Sequence, residues 1–269
     1  MEYRFYSKSE KAADCHHREN EDSAMCSEFS FMKDKNVRLF VVADGMGGLE
    51  DGKNASRNAV TGFMRSFYEM ALEQYMKPEI DDFSLKYAIK DIKKCLLQAV
   101  QEANASVCKG AVDDQVTGTT ISAVCLVDDC AVLANVGDSP IYFYRKKKNQ
   151  MKLVSCLQTK AEQDVQAGVY SRDSEDYYKN NHILYCSLGQ YDKLQEEDIY
   201  ISAIGNLRAG DCILIGSDGC FGTMNETMIG SLLRECHPEE ESFLLDQIFS
   251  LARMDKDDDQ TAFLCMVEG

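Results

Sequence analysis

The chain has 269 residues, 45 of them acidic and 29 basic, for a formal charge of −16. That balance argues against nucleic acid and anionic membrane surfaces as general partners, since both need positive charge to hold them, and it leaves a cation-dependent site compatible. No apolar run approaches the roughly 20 residues that cross a bilayer, and three prolines with no Gly/Ser-rich tract leave no linker, so one domain over residues 1–269 is expected.

In chain order, YRFYSK alternates crudely and predicts a strand. MCSEFSFM, the polar turn KDKN and VRLFVVAD then predict an antiparallel hairpin. Apolar residues at helical spacing predict helices over 53–76 (Phe63, Phe67, Met70) and 83–108 (Ile89, Ile92, Leu96, Val100). The short β-branched or aromatic runs TTISAVCLV, CAVLANVG, IYFYRK and MKLVSC predict a meander of strands. Residues 158–181 are polar and irregular, a variable surface insertion by composition. Strand-like HILYCSL, DIYISAI and DCILIG follow, then helical segments near 225–236 and 239–253, and TAFLCMV as a closing strand. Runs of strands with helices grouped between them favour a mainly antiparallel α+β layered fold over strict βαβ alternation.

The twelve cysteines include no C-x-x-C pair. Cys125, Cys212 and Cys265 lie inside apolar runs, where a thiol behaves as a small hydrophobe. The opening MEYRFYSKSEK does not read as a secretory leader, so reduced thiols in a cytosol are expected, not a zinc or disulfide framework.

The acids sit at telling places. Asp44, Asp138 and Asp218 each end an apolar strand, and Asp258 stands in DKDDDQ just before the last one. One acid at a strand end is ordinary solvation or turn capping. Three such ends and a fourth cluster, if they converge, crowd carboxylates whose repulsion demands cations, and oxygen-only donors suit Mg²⁺ or Mn²⁺. The stretch from Gly47, GGLEDGKN, nearly matches the P-loop pattern G-x-x-x-x-G-K-[ST]. Asn54 replaces the required hydroxyl, however, and Glu50 and Asp51 put negative charge where a phosphate would sit, so the loop reads as holding metal. A calcium-loop reading of DKDDDQ fails, because Gln260 and Met266 stand where glycine and glutamate belong.

NEDS, VVADGMGG with GKNAS, GTT, NVGDS, SLG, ILIGSDG and DDQT occur in one order from residue 20 to residue 261. In that order they resemble the motifs of the metal-dependent serine/threonine protein phosphatases of type 2C, in their bacterial form. The resemblance implies a four-layer α/β/β/α sandwich of two mainly antiparallel sheets, flanked by helices, with a two-metal centre at one end. It implies that Asp44 bridges two divalent ions (Mn²⁺ or Mg²⁺), that the Gly45 carbonyl holds the second, and that Asp218 and Asp258 bind the first. Glu21 and Asp22 would act through metal-bound waters, and Asp138 with Asp218 would hold a third, weaker ion. Water bridging the metals would attack phosphorus in line as hydroxide, so no protein nucleophile is needed. Cys220, after SDG, reads as core filler.

Several positions depart from the family pattern. The usual phosphate-gripping arginine falls at His17, with Arg18 beside it, and a one-residue bulge would let Arg18 serve. Pro140 stands where arginine is usual, and the T-x-D-H-S segment before the flap is not recognisable in QTKAEQDV. Met46 occupies the position of a histidine common in eukaryotic members. Asp259 replaces a common asparagine; the spacing to Thr261 favours Asp258 as ligand. The expected partners are phosphoprotein substrates and an opposing serine/threonine kinase, with the chain a cytosolic monomer. The rival reading keeps the fold and loses catalysis, making the chain a pseudophosphatase that binds a partner.

Overall fold

In a computed structural model the described residues are 1–13, 19–31, 35–46, 51–75, 85–110, 117–172, 174–236, 241–255 and 257–268. His17, Arg18, most of the glycine loop and part of the KDKN turn lie outside them.

Two antiparallel sheets form the centre. One contains β1 (Glu2–Glu10), β7 (Ile141–Arg145), β8 (Gln150–Leu153), β10 (Cys212–Gly216) and β11 (Gln260–Glu268), in the order β1-β11-β10-β7-β8. The other contains β2 (Asp22–Phe31), β3 (Lys35–Met46), β5 (Ile121–Val127), β6 (Cys130–Val136) and β9 (Tyr200–Ile204), in the order β2-β3-β5-β6-β9. The two-residue β4 (Gly118–Thr119) lies beside β3.

The layering follows from side-chain alternation. Along β3, Val37, Leu39, Val41 and Ala43 face a core shared with Phe63 and Phe67 of α1 (Asp51–Tyr75) and Leu96 and Val100 of α2 (Leu85–Gly110). Phe40 and Val42 point the other way, into a core shared with Ile213, Ile215 and Phe263 of the opposite sheet. Leu214 and Leu264 turn outward and meet α6 (Glu226–Glu235) and α7 (Leu244–Asp255) through Ile229, Leu233, Ile248 and Phe249. Strands buried on both faces need apolar residues at every position, which is why β5 and β6 read as continuous runs instead of alternating. The result is the four-layer α/β/β/α sandwich that the motifs implied. No helix among the described residues is long and apolar enough to cross a membrane.

Register decides what shares an end. Asp22 pairs with Asp44, Ser122 with Val42, Ile121 with Val136, Ile215 with Ile141 and Gly216 with Ala262. The end of β3, the start of β2, the β6–β7 turn, the end of β10 and the start of β11 are therefore all at one end of the sandwich.

Three local expectations are corrected. Residues 158–181 are not irregular: α3 (Lys160–Gln166) and α4 (Glu175–Asn180) form there, capped by Thr159 and Ser174, whose hydroxyls accept from Glu162 N–H and Tyr177 N–H. HILYCSL makes only single bridges, Thr159 to Leu184 and Thr119 to Leu188, since no neighbouring strand offers it a ladder. The one-turn helix α5 (Asp218–Phe221) was unexpected, being too short for periodicity to show.

Truncation should separate core from surface. Leu133→Ala, in the core between the sheets, should cost about 2–5 kcal/mol in chemical denaturation. Leu72→Ala, on the exposed side of α1, should stay within about 0.5 kcal/mol of wild type.

Candidate metal centre

Asp44 ends the apolar run of β3, and Asp22, opening β2, stands directly across from it. Directly opposed residues of an antiparallel pair lie on one face a few ångströms apart, so the two carboxylates are neighbours. The backbone of Asp44 is held from the far side by the GTT segment. Its N–H donates to Thr120 Oγ1 (3.0 Å), and its carbonyl accepts from Thr120 N–H (2.9 Å) and the Thr119 hydroxyl (2.8 Å).

Gly45 follows because nothing larger fits: a Cβ there would lie 2.0 Å from the Gly52 carbonyl oxygen. Gly52, in the first turn of α1, is itself covered by the Glu21 carboxylate, 2.8 Å from where a Cβ would stand. The start of α1, where a P-loop would cradle phosphate, thus carries a carboxylate of the chain. Lys53, the would-be P-loop lysine, pairs with Glu19 at 2.7 Å.

The other acids arrive from the opposite sheet and the connecting turns. Asp138 sits in the β6–β7 turn, where Gly137 has a φ of +94° and a Cβ would strike the Thr120 side chain at 2.7 Å. Asp218 opens α5 at the end of β10. Gly219 packs so closely on the segment leading into β11 that a Cβ would lie 2.0 Å from the Asp259 carbonyl oxygen and 3.1 Å from the Asp258 Cβ. That contact brings Asp218 and Asp258 to the same place. Asp259 is different, because its two carboxylate oxygens accept from the N–H groups of Ala12 (2.8 Å) and Glu21 (2.6 Å).

A family model described as Protein phosphatase 2C matches residues 18–245. The chain belongs to that family. A protein phosphatase 2C-type protein of Streptococcus pyogenes is 27% identical over 205 residues, 76% of this chain and 75% of its own length. The fold matches the S. agalactiae serine/threonine phosphatase with a TM-score of 0.76 at 22% identity, over 99% of this chain and 100% of that one. It also matches the catalytic domain of the serine/threonine protein phosphatase PstP in complex with two manganese ions, with a TM-score of 0.73 at 20% identity over 99% of each chain. Membership places the chain among the serine/threonine protein phosphatases.

The electrostatics of this phosphatase follow from crowding. Burial first, then the carboxylates of Asp22, Asp218, Asp138 and Asp258, push the Asp44 carboxyl well above the ordinary aspartate range. Burial likewise raises Asp22 to about 8, with Asp259 and Asp218 adding to it and hydrogen bonds from Ser217 and Thr261 opposing it. The donor set fits a hard cation. It is all oxygen, its members repel one another, and the buried Asp22 Oδ1 accepts no hydrogen bond. Among the described residues, no three His, Cys, Asp or Glu side chains lie close enough together to form a ligand set as they stand. Cys220 is fully buried, and burial first of all pushes its thiol far up, so it is core filler and no nucleophile.

Hydroxyl groups absent from the candidate residues prove important. The Ser217 hydroxyl donates to Asp22 Oδ2 (2.8 Å) while accepting from Thr261 N–H (3.0 Å), tying the two sheets together beside the acids. Ser139 shares a 2.6 Å hydrogen bond with Thr120, and its carbonyl accepts from Ser122 (2.6 Å). The only sequence signal was their presence in the GTT, GDS and GSD motifs; which acid each would hold depends on cross-sheet pairing.

A folded Asp22 keeps its proton up to about pH 8, whereas the unfolded chain releases it in the ordinary aspartate range. The folded state therefore binds more protons between those values, and metal-free stability should fall as pH rises through the window. Thermal melts in EDTA should give a lower Tm at pH 8 than at pH 6, and added Mn²⁺ should raise Tm more at pH 8. A Tm in EDTA that climbs with pH would contradict this electrostatic account.

Proposed function

We propose that the chain removes phosphate from phosphoserine and phosphothreonine in proteins with the help of two divalent ions held by the acids at the end of the sandwich. The observation that carries the reading is the placement of Asp44 amid four other carboxylates on five separate chain segments. The PstP domain of the same fold is in complex with two manganese ions, which supports Mn²⁺ or Mg²⁺ as the ions here. When bound, such ions lower the pKa of water so that hydroxide is available near neutral pH, and they offset charge on phosphoryl oxygens.

The chain's own residues divide the work. Asp44, between the others, would hold both ions, with the Gly45 carbonyl serving the second. Asp218 and Asp258 would hold the first, and Asp138 with Asp218 would take a weaker third. Asp258 is preferred to Asp259 because both oxygens of Asp259 already accept backbone N–H groups. Glu21 and Asp22 would act from the side of β2 through water on the ions, and the Ser217 hydroxyl fixes the Asp22 carboxylate. Arg18 is proposed to grip the substrate phosphate, as a planar guanidinium suits it. The substrates are phosphoproteins, the products of serine/threonine kinases.

Phosphate release from a phosphothreonine peptide should require Mn²⁺ or Mg²⁺ and disappear in EDTA. Asp44→Asn and Asp218→Asn should each lower turnover by more than about a hundredfold at limiting metal with unchanged circular dichroism. Undiminished turnover in either variant would overturn the ligand set. Folded, metal-loaded wild type that hydrolyses no phosphopeptide would favour a partner-binding pseudophosphatase instead.

A further inference from the structure

Between α3 and α4, the helices of the flap insertion at 158–181, and α5–α6 lies a cavity of about 320 Å³, reached from the acid centre because Asp138 and Asp218 form part of its wall. Its size is at the small end for ligand pockets, about 300–1,000 Å³, and suits one long side chain. The inner wall is aromatic: Tyr142 and Phe221 meet edge to face with ring centroids 5.6 Å apart. Tyr178, on the flap side, is 40% exposed, so its ring is available to an incoming group.

The flap wall is fixed rather than loose. The buried Glu162 carboxylate accepts from Arg172 Nε (2.9 Å) and Nη2 (2.7 Å) and from the Tyr177 hydroxyl (2.8 Å). Asn181 Nδ2 donates to the Gly222 carbonyl (2.9 Å) and ties the flap to the residue after α5. A pocket formed in advance spares a substrate the cost of ordering it.

Charge selects the occupant. Among the described residues, and apart from the metal-site acids, the wall carries one cation, Arg172, and two carboxylates, Glu162 and Glu226. Arg172 is already bidentate with Glu162. Glu226 is exposed and accepts the Leu153 N–H through one oxygen (2.8 Å), so its charge is not matched by a second cation in the wall. A surplus negative charge beside an accessible tyrosine ring suits a guanidinium, which can stack on the ring and hydrogen-bond the carboxylate together. The overall charge of −16 favours approach of such a group.

We propose that this cavity is a specificity pocket that takes an arginine side chain close in sequence to the phosphorylated residue of the substrate, with Glu226 and Tyr178 as its recognition residues. The proposal rests on the phosphatase function proposed above.

The test measures kcat/KM with Mn²⁺ on phosphothreonine peptides carrying arginine, alanine or glutamate at each flanking position in turn. At one position arginine should exceed alanine by at least about fivefold, with glutamate lowest. Glu226→Gln keeps an acceptor for the Leu153 N–H, and should bring arginine and alanine within about twofold. Glu235→Gln, which removes the same charge from the far end of α6, should leave the arginine preference intact and so controls for net charge. Equal rates on all three peptide types at every position would overturn the pocket, as would a preference that survives in Glu226→Gln. No turnover of any peptide would instead remove the phosphatase function itself, and the pocket with it.

Discussion

Asp22 and Asp44 stand opposite each other across one antiparallel pair, and their mutual repulsion is the constraint around which this end of the molecule is built. A buried carboxylate facing a half-buried one in that position would ordinarily be avoided. Here three more acids act on the same group, so the protein adds to the repulsion instead of relieving it. What makes the arrangement tolerable without an ion is proton uptake, seen in the raised values of both groups. What makes it useful is that a cation of matching hardness relieves all of the repulsion at once.

Holding like charges in place requires neighbours that do not move. Thr119 and Thr120 hydrogen-bond the backbone of Asp44, Ser139 holds the Thr120 hydroxyl and Ser217 holds the Asp22 carboxylate, and all four are buried. Asp259 spends its charge on two backbone N–H groups and so fastens the N-terminal segment to the turn before β11. Gly45 and Gly219 allow main chains to approach where any side chain would intrude. These groups are worth little singly. Their value lies in the three apolar cores behind them, which make the ends of five segments behave as one rigid surface.

The flap follows another logic. Its helices are short and polar, and they would not persist alone. They are held by capping hydroxyls and by one buried carboxylate with three donors. The proposed chemistry at the acids and the proposed selectivity at the flap thus draw on separate parts of the chain that meet at Asp138 and Asp218.

The sequence by itself determined the apolar strands, the two long helices, the reading of Asp44, Asp138, Asp218 and Asp258 as strand-end acids, and, through seven ordered motifs, the family. Those features are local or linear: alternation, helical spacing and short words survive being read one residue after another. Tertiary structure alone decided how Asp259 is held. Asp258 and Asp259 are adjacent and chemically alike, and no local pattern says that both oxygens of Asp259 accept N–H groups from an N-terminal segment more than 230 positions away. It likewise decided that Lys160–Gln166 and Glu175–Asn180 are helical and that Glu162 is matched by Arg172, because low-periodicity polar segments take their conformation from partners that no local pattern names.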